Sequence, residues 1–83
     1  MEQAPNERIM PYSIEAEQAV LGALFLDPRK IGTVQAIIND EDFYKRSHQL
    51  IFNAIDQVFD RSGTLDFVMV LSFLFLLVSS YRY

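Results

Sequence analysis

The sequence predicts an all-α fold, a small bundle of about four amphipathic helices. Apolar residues recur at three- and four-residue steps along most of the chain, which is the spacing of a helix that buries one face. Residues typical of helix caps stand at the borders of these segments. The chain has 83 residues, 51% apolar and 22% charged, a composition typical of one small folded domain.

The pattern divides the chain into three parts. Residues 1–12 are predicted to form a flexible lead-in, because no apolar period precedes Pro11. Residues 13–66 are predicted to form a helical head. Residues 67–83 form an apolar tail, in which Phe67 to Val78 are apolar at eleven of twelve positions and leave no polar face.

The first helix is predicted to run from an N-cap at Ser13 to about Leu26. Glu15 and Glu17 place negative charge near the positive end of its dipole. Its apolar positions are Ala16, Val20, Leu21, Ala23, Leu24 and Phe25. Gly22 in the middle of this helix is compatible either with the close approach of another helix or with simple tolerance.

A second helix is predicted from Asp27 and Pro28, an N-cap followed by proline at the first helical position, to Asn39 and Asp40. Its apolar positions are Ile31, Val34, Ile37 and Ile38. The acids that follow lead into two aromatic residues, Phe43 and Tyr44, which indicates a short helical turn.

The third helix has the strongest amphipathic pattern, with a predicted cap at Ser47 and an end at Ser62-Gly63. Its apolar stripe comprises Leu50, Ile51, Ala54, Ile55, Val58 and Phe59. Asp66 is a candidate cap for a fourth helix. The tail after Asp66 is too short for a membrane span, which needs about 20 apolar residues, and it is predicted to be aggregation-prone.

The sequence predicts no catalytic, cofactor-binding or metal-binding residues. A P-loop is absent, since none of the three glycines precedes Lys and Ser or Thr in the required register. There is no Cys and a single His. We expect His48 to pack in the first turn of its helix, and Asp40, Glu41 and Asp42 to form a solvated helix start rather than a carboxylate site.

Charge and composition indicate which partners the chain can bind and in which cell compartment it acts. Eleven acids against seven bases give a net charge of −4 without any basic run, so we expect no direct binding of nucleic acid. The absence of Cys and of a secretory start at Met1 to Asn6 indicates a cytoplasmic protein.

Three blocks of the sequence resemble the N-terminal domain of DnaB-type replicative DNA helicases. The blocks are Ile14–Ala23 (IEAEQAVLGA); Asp42–Tyr44 with Ser47–Gln49 and Ile51–Phe52; and Asp60–Gly63 with Asp66, Val68 and Val70. Together they cover most of the chain, in the order in which the family has them.

The resemblance implies a helical head of a collar that lies above a ring of six ATPase domains. In that family the head is followed by a helical hairpin, heads and hairpins pair, and the collar docks primase and helps to govern loading at the primosome. The implied partners are other helicase subunits, primase and the helicase loader. ATP and Mg belong to the parent helicase, so this chain is expected to bind neither and to catalyse nothing alone.

The chain departs from the family pattern after Val70, where a polar-faced helix is expected and an apolar run follows. We hypothesise a frameshift or an early stop in a helicase gene, with the hairpin lost. The alternative is a separate small protein that uses its apolar tail to associate with a membrane or a partner.

Overall fold

The computed structural model describes residues 13–80 and confirms the all-α fold. Within this range there are four α-helices and two short 3-10 helices. The α-helices are α1 (Ile14–Leu26), α2 (Ile31–Gln35), α3 (Arg46–Ser62) and α4 (Phe67–Ser80), and the 3-10 helices are Pro28–Lys30 and Asp40–Asp42. The predicted lead-in, residues 1–12, lies outside the described residues, as do residues 81–83.

Helix α1 begins and ends as its sequence predicts. The Oγ atom of Ser13 accepts a hydrogen bond from the Ala16 N–H at 3.1 Å, which confirms Ser13 as the N-cap. The helix ends at Leu26, where the N–H of Asp27 still donates to the Ala23 carbonyl at 2.9 Å. Leu21 and Leu24 are its buried residues and attach it to the core.

The single second helix predicted between Pro28 and Asp40 is wrong in its extent. Asp27 does cap a 3-10 helix that contains Pro28, accepting from the Arg29 N–H at 3.3 Å. The α-helix that follows ends at Gln35, and just after it the N–H of Ile37 donates to the Val34 carbonyl, three residues back rather than four. Two adjacent β-branched residues favour such an early end.

Helix α3 is the centre of the bundle, and its start corrects the predicted Ser47 cap. It begins at Arg46, with Lys45 in the N-cap position and no capping bond from its own side chain. Its end is confirmed, since Gly63 adopts the left-handed conformation (φ 76°) and its N–H donates to the Phe59 carbonyl at 2.7 Å.

The core forms where α1, α2 and α4 pack on α3. The buried apolar side chains are Leu21, Leu24, Ile31, Phe43, Phe52, Ala54, Ile55, Val58 and Val70. Phe52 is completely buried, and its ring centroid lies 5.2 Å from that of Phe43. Ile37, in contrast, is 73% exposed, whereas Ile38 is half-buried against the core.

Helix α4 follows a confirmed cap. The Oδ1 atom of Asp66 accepts from the Val68 N–H at 3.0 Å, so the apolar tail starts as a regular helix and continues to Ser80. The linker between α3 and α4 is only four residues long, residues 63–66. Such a short connection places α4 against α3 as its neighbour in the bundle.

The proposed reason for Gly22, a close approach of another helix, is wrong. Within residues 13–80 no atom of another element lies within 4 Å of the position that a β-carbon would occupy at Gly22. Gly22 is therefore simply tolerated inside α1.

Substituting the two glycines by alanine should have opposite effects on stability. Gly22→Ala removes a flexible residue from a helix interior and should raise the free energy of unfolding by about 1 kcal/mol. Gly63→Ala forces a β-carbon into the left-handed region (φ 76°) and should lower it by about 1 kcal/mol. Urea denaturation of both variants measures the difference, and changes of the same sign would contradict the two assignments.

Candidate functional site

Helix α4 has two apolar faces, and only one of them is used by the bundle. Val70 is buried, and Phe73, Leu74 and Leu77 are half-buried against the core. These four positions follow the i, i+3, i+4, i+7 spacing of a helix that packs on one side. The opposite side of the helix is also apolar but has no covering element among the described residues.

We call this second face the outer α4 surface. It is a shallow depression along the helix, formed by Val68, Leu71, Ser72, Phe75 and Leu76. Val68 is 67% exposed, Phe75 71% and Leu76 61%. Contiguous large apolar side chains exposed in this way are typical of a surface that contacts another macromolecule.

Two contacts of aromatic rings, one at the start of α4 and one near its middle, hold this helix in place. The rings of Phe25 and Phe67 meet edge to face with centroids 5.1 Å apart, which ties the start of α4 to the end of α1. The guanidinium of Arg61 lies 5.1 Å from the centroid of the Phe73 ring. The outer α4 surface is therefore presented on a helix with a fixed orientation.

A polar junction joins α1 to the start of α3. The carboxylate of Glu17 accepts hydrogen bonds from the backbone N–H groups of Tyr44 and Lys45, the latter at 3.3 Å. The Nδ1 atom of His48 lies 2.7 Å from Oε1 of Glu17. Because an ionised carboxylate only accepts, Nδ1 carries the shared proton. Glu17 thus binds the two backbone N–H groups that immediately precede α3, and Ser47, which was expected to be the N-cap, lies inside the helix.

The junction is nearly shielded from solvent. The side chain of Glu17 is 12% exposed and that of His48 is 6% exposed. Burial of the carboxylate raises its pKa, but the hydrogen bonds from Tyr44, His48 and Lys45 outweigh it, so the pKa of Glu17 lies below its ordinary value. His48 packs in the first turn of its helix, as expected, with its ring nearly perpendicular to that of Phe43.

A second polar network connects α2, the 3-10 helix Asp40–Asp42 and α3. The Gln35 amide donates to Asp56 at 2.9 Å and to Asp60 at 3.2 Å. Asn53 donates to Asp40 at 3.0 Å. These contacts hold elements together, and the Asn39 N–H donates to the Asp42 carboxylate at 2.9 Å in a local cap. Asp40 and Asp42 therefore have structural partners.

The pKa of Asp56 lies above its ordinary value of 3.8, because burial raises it more than the hydrogen bond from Gln35 lowers it, and Asp60 and Asp40 repel its charge. Ionisation of Asp56 therefore costs stability as the pH rises through the range above 3.8. Asp56→Asn removes this charge but keeps an oxygen that accepts from Gln35. We expect the variant to gain a few tenths of a kcal/mol at pH 7, a small value because the side chain is only partly buried.

The gain of Asp56→Asn should disappear at a pH below 3.8, where the wild-type carboxyl group is also neutral. Denaturant midpoints at the two pH values measure it. Glu41→Gln, which removes an exposed charge, is the matched control and should change stability at neither pH. A loss of stability at pH 7 in Asp56→Asn would show that the carboxylate is needed.

No group of three or more His, Asp or Glu side chains between residues 13 and 80 could hold a metal ion. Over the same range, no helix has the length and apolar content needed to cross a membrane. The feature best suited to a molecular interaction in this part of the chain is the outer α4 surface.

Comparison with known proteins gives one consistent result. The family model described as the DnaB-like helicase N terminal domain matches residues 9–77, a range that includes most of α4. The replicative DNA helicase DnaB of Geobacillus stearothermophilus is 54% identical over 65 residues, which are 78% of this chain and 14% of the relative. The replicative DNA helicase DnaC of Bacillus subtilis is 46% identical over 67 residues, 81% of this chain and 15% of the relative.

A more distant relative agrees with these two. The replicative DNA helicase DnaB of Rhodothermus marinus is 40% identical over 63 residues, which are 76% of this chain and 7% of the relative. The chain thus spans at most about a seventh of the length of the curated relatives it matches.

Proposed function

Because the chain belongs to the family of DnaB-like helicase N-terminal domains, we propose that it is a scaffold element of a replicative DNA helicase. Its role would be that of a collar head, which associates with other helicase subunits and provides a dock for primase and the helicase loader. The match over residues 9–77 and the 54% identity to a replicative helicase support this proposal. The expected site of action is the replication fork in the cytoplasm.

The observation that carries an interaction role is the outer α4 surface. A small domain gains stability by burying large apolar side chains, so leaving Val68, Phe75 and Leu76 exposed needs a reason. Contact with another protein provides one, since interface centres are apolar and poor in charge. The residues around this surface offer no convergent polar groups for chemistry on a substrate.

Binding of ATP and Mg, in this proposal, is the task of the rest of the parent helicase. The chain has no G-x-x-x-x-G-K-[ST] sequence to surround phosphates. It matches only 14% of its Geobacillus relative, so most of such a helicase lies outside the matched part. We therefore propose that this chain performs no step of ATP hydrolysis or unwinding.

Binding to a related helicase tests the scaffold role. The labelled chain is mixed with the Geobacillus stearothermophilus helicase, with the same helicase lacking its N-terminal domain, and with the primase of that organism, and co-sedimentation is measured. We expect binding to the intact helicase and none to the truncated one. Equal sedimentation with both helicases, or with neither, would refute subunit association, and the primase sample tests docking separately.

The fragment hypothesis has its own test. If a helicase gene was interrupted, the nucleotide sequence downstream of the Val70 codon should encode the hairpin and a P-loop in another frame or beyond the stop. Translation of all three frames decides this. Finding neither would favour the separate small protein.

The alternative role, association of a separate protein with a membrane through its tail, is favoured by the apolar outer face of α4. A helix that lies in a membrane surface normally carries Lys or Arg on its polar side, and α4 carries neither. We therefore expect the purified chain to remain in solution when neutral or anionic lipid vesicles are sedimented. Stable partition into both kinds of vesicle would establish the alternative.

A further inference from the structure

The charges of the chain are distributed so that α4 has none. Phe67–Ser80 contains no Asp, Glu, Lys or Arg, whereas the whole chain carries a net charge of −4. Two copies that approach through α4 therefore bring no like charges directly together, while most other approaches do. A strongly charged partner would find no opposite charge on this helix to pair with. The charge pattern thus favours an uncharged apolar occupant, and a second α4 helix fits that description.

The residues along the centre of the outer α4 surface alternate in size. At 100° per residue, Val68, Ser72, Phe75 and Ser79 lie within a narrow arc, with Leu71 and Leu76 on either side of it. All six positions are exposed. Along the arc, the larger Val68 is followed by Ser72, and the larger Phe75 is followed by Ser79. Such a surface can interlock with a copy of itself if the small residues of one helix meet the large residues of the other.

Only one of the two possible directions achieves this match. In an antiparallel pair with its two-fold axis between residues 73 and 74, Ser72 is level with Phe75 of the other copy, and Val68 with its Ser79. A parallel pair in register would place Phe75 against Phe75 and leave a gap between the two Ser72 residues. Antiparallel helices also oppose their dipoles favourably.

We infer that the outer α4 surface binds the same surface of a second copy of this chain, with the two α4 helices antiparallel and Ser72 beside Phe75. The inference rests on the proposed association between subunits and names the surface that makes the contact. In this register Leu71 is level with Leu76 of the other copy, so the leucines flank the central arc on both helices. The result is a two-fold symmetric contact that closes on itself.

The size of the contact predicts a weak and reversible pair. A helix of 14 residues is about 21 Å long. One helix face against another of this length buries less than the roughly 1,200 Å² that is typical of stable complexes. We therefore expect a monomer–dimer equilibrium that depends on concentration, with a dissociation constant on the order of micromolar or weaker.

Sedimentation equilibrium over a range of concentrations tests the surface. Phe75→Glu places a charge opposite Ser72 and should raise the dissociation constant at least tenfold. Ile37→Glu, a matched change at a residue that is 73% exposed on another part of the molecule, should leave it unchanged. Circular dichroism confirms that both variants remain helical. A wild-type chain that stays monomeric, or a dimer that Phe75→Glu does not weaken, would overturn the inference.

Disulfide trapping tests the direction, because the chain contains no Cys of its own. Val68→Cys and Ser79→Cys variants are mixed and oxidised gently. In the antiparallel pair these two positions are level, so the crosslinked product should be mainly the mixed dimer. Predominant Val68–Val68 crosslinks, or equal amounts of all three dimers, would overturn the antiparallel arrangement.

The outcome can be separated from that of the proposed function. Suppose that the wild-type chain dimerises, that Phe75→Glu does not, and that the wild-type chain does not bind the related helicase. The pairing surface then stands and the helicase role fails. If the chain binds the helicase and Phe75→Glu still dimerises normally, the role stands and the assigned surface is wrong.

Discussion

The Glu17→Gln variant is expected to lose about 2–3 kcal/mol of unfolding free energy, which is a large part of the stability of so small a domain. The Glu17 carboxylate accepts from two backbone N–H groups and lies 2.7 Å from Nδ1 of His48. A neutral amide cannot accept all three bonds, and its own NH₂ group faces donors. Thermal unfolding should show a Tm lower by roughly 10–20 °C.

The pH dependence of this loss is specific to Glu17. Because its folded pKa is lowered, the ionised carboxylate contributes stability that is complete above the ordinary value of 4.5 and is lost as the pH falls through the lowered pKa. The difference between wild type and Glu17→Gln should therefore be constant at neutral pH and shrink in acid.

Glu15→Gln is the control for this experiment. Glu15 lies in the same first turn of α1 but is exposed, so its replacement should cost only a few tenths of a kcal/mol. If the Glu17 and Glu15 variants are equally stable, the Glu17 carboxylate does not hold α1 to the segment before α3 in solution.

The Phe52→Ala variant should be still less stable, by about 3–5 kcal/mol relative to wild type. Phe52 is completely buried in α3, and its ring packs against Phe43 at a centroid distance of 5.2 Å. The substitution removes this burial and leaves a cavity between α3 and the segment before it. Urea denaturation should show a much lower midpoint and unfolded chain already present without denaturant.

An exposed phenylalanine provides the matched control for Phe52→Ala. Phe75 is 71% exposed, so Phe75→Ala at low protein concentration should change stability by about 0.5 kcal/mol or less. Phe52→Leu, which keeps most of the apolar volume, should fall between the two. A Phe52→Ala variant as stable as Phe75→Ala would mean that the core is not centred on α3.

Local signals in the sequence account for most of the fold. Ser13, Asp27, Asp66 and Gly63 act as caps because each is decided by contacts within three or four residues along the chain. The same holds for the apolar period of α1. The helical reading of α4 also follows from a local cap, although its sequence alone does not say which of its faces is covered.

The errors concern contacts between distant residues or competition at a helix end. Ser47 is a good capping residue, but the segment at the start of α3 is held by Glu17, which lies 31 positions before its partner His48. No residue within one helical turn of Ser47 indicates the contact with Glu17. The sequence left open whether Gly22 marks a close contact or is simply tolerated, and only the packed arrangement shows the open space beside it. The second helix ends early for reasons of backbone bonding that apolar spacing does not encode.

The uncharged helix α4 also gives the molecule the character of a patchy colloid. Net charge keeps copies apart over long distances, but that repulsion arises entirely from the remainder of the chain and is screened within about 10 Å at 0.1 M salt. The attraction between apolar stripes is not screened. Added salt, or a pH close to the sequence pI of about 4.7, therefore removes the repulsion and leaves the attraction, so the handling range of this protein is low ionic strength and neutral pH.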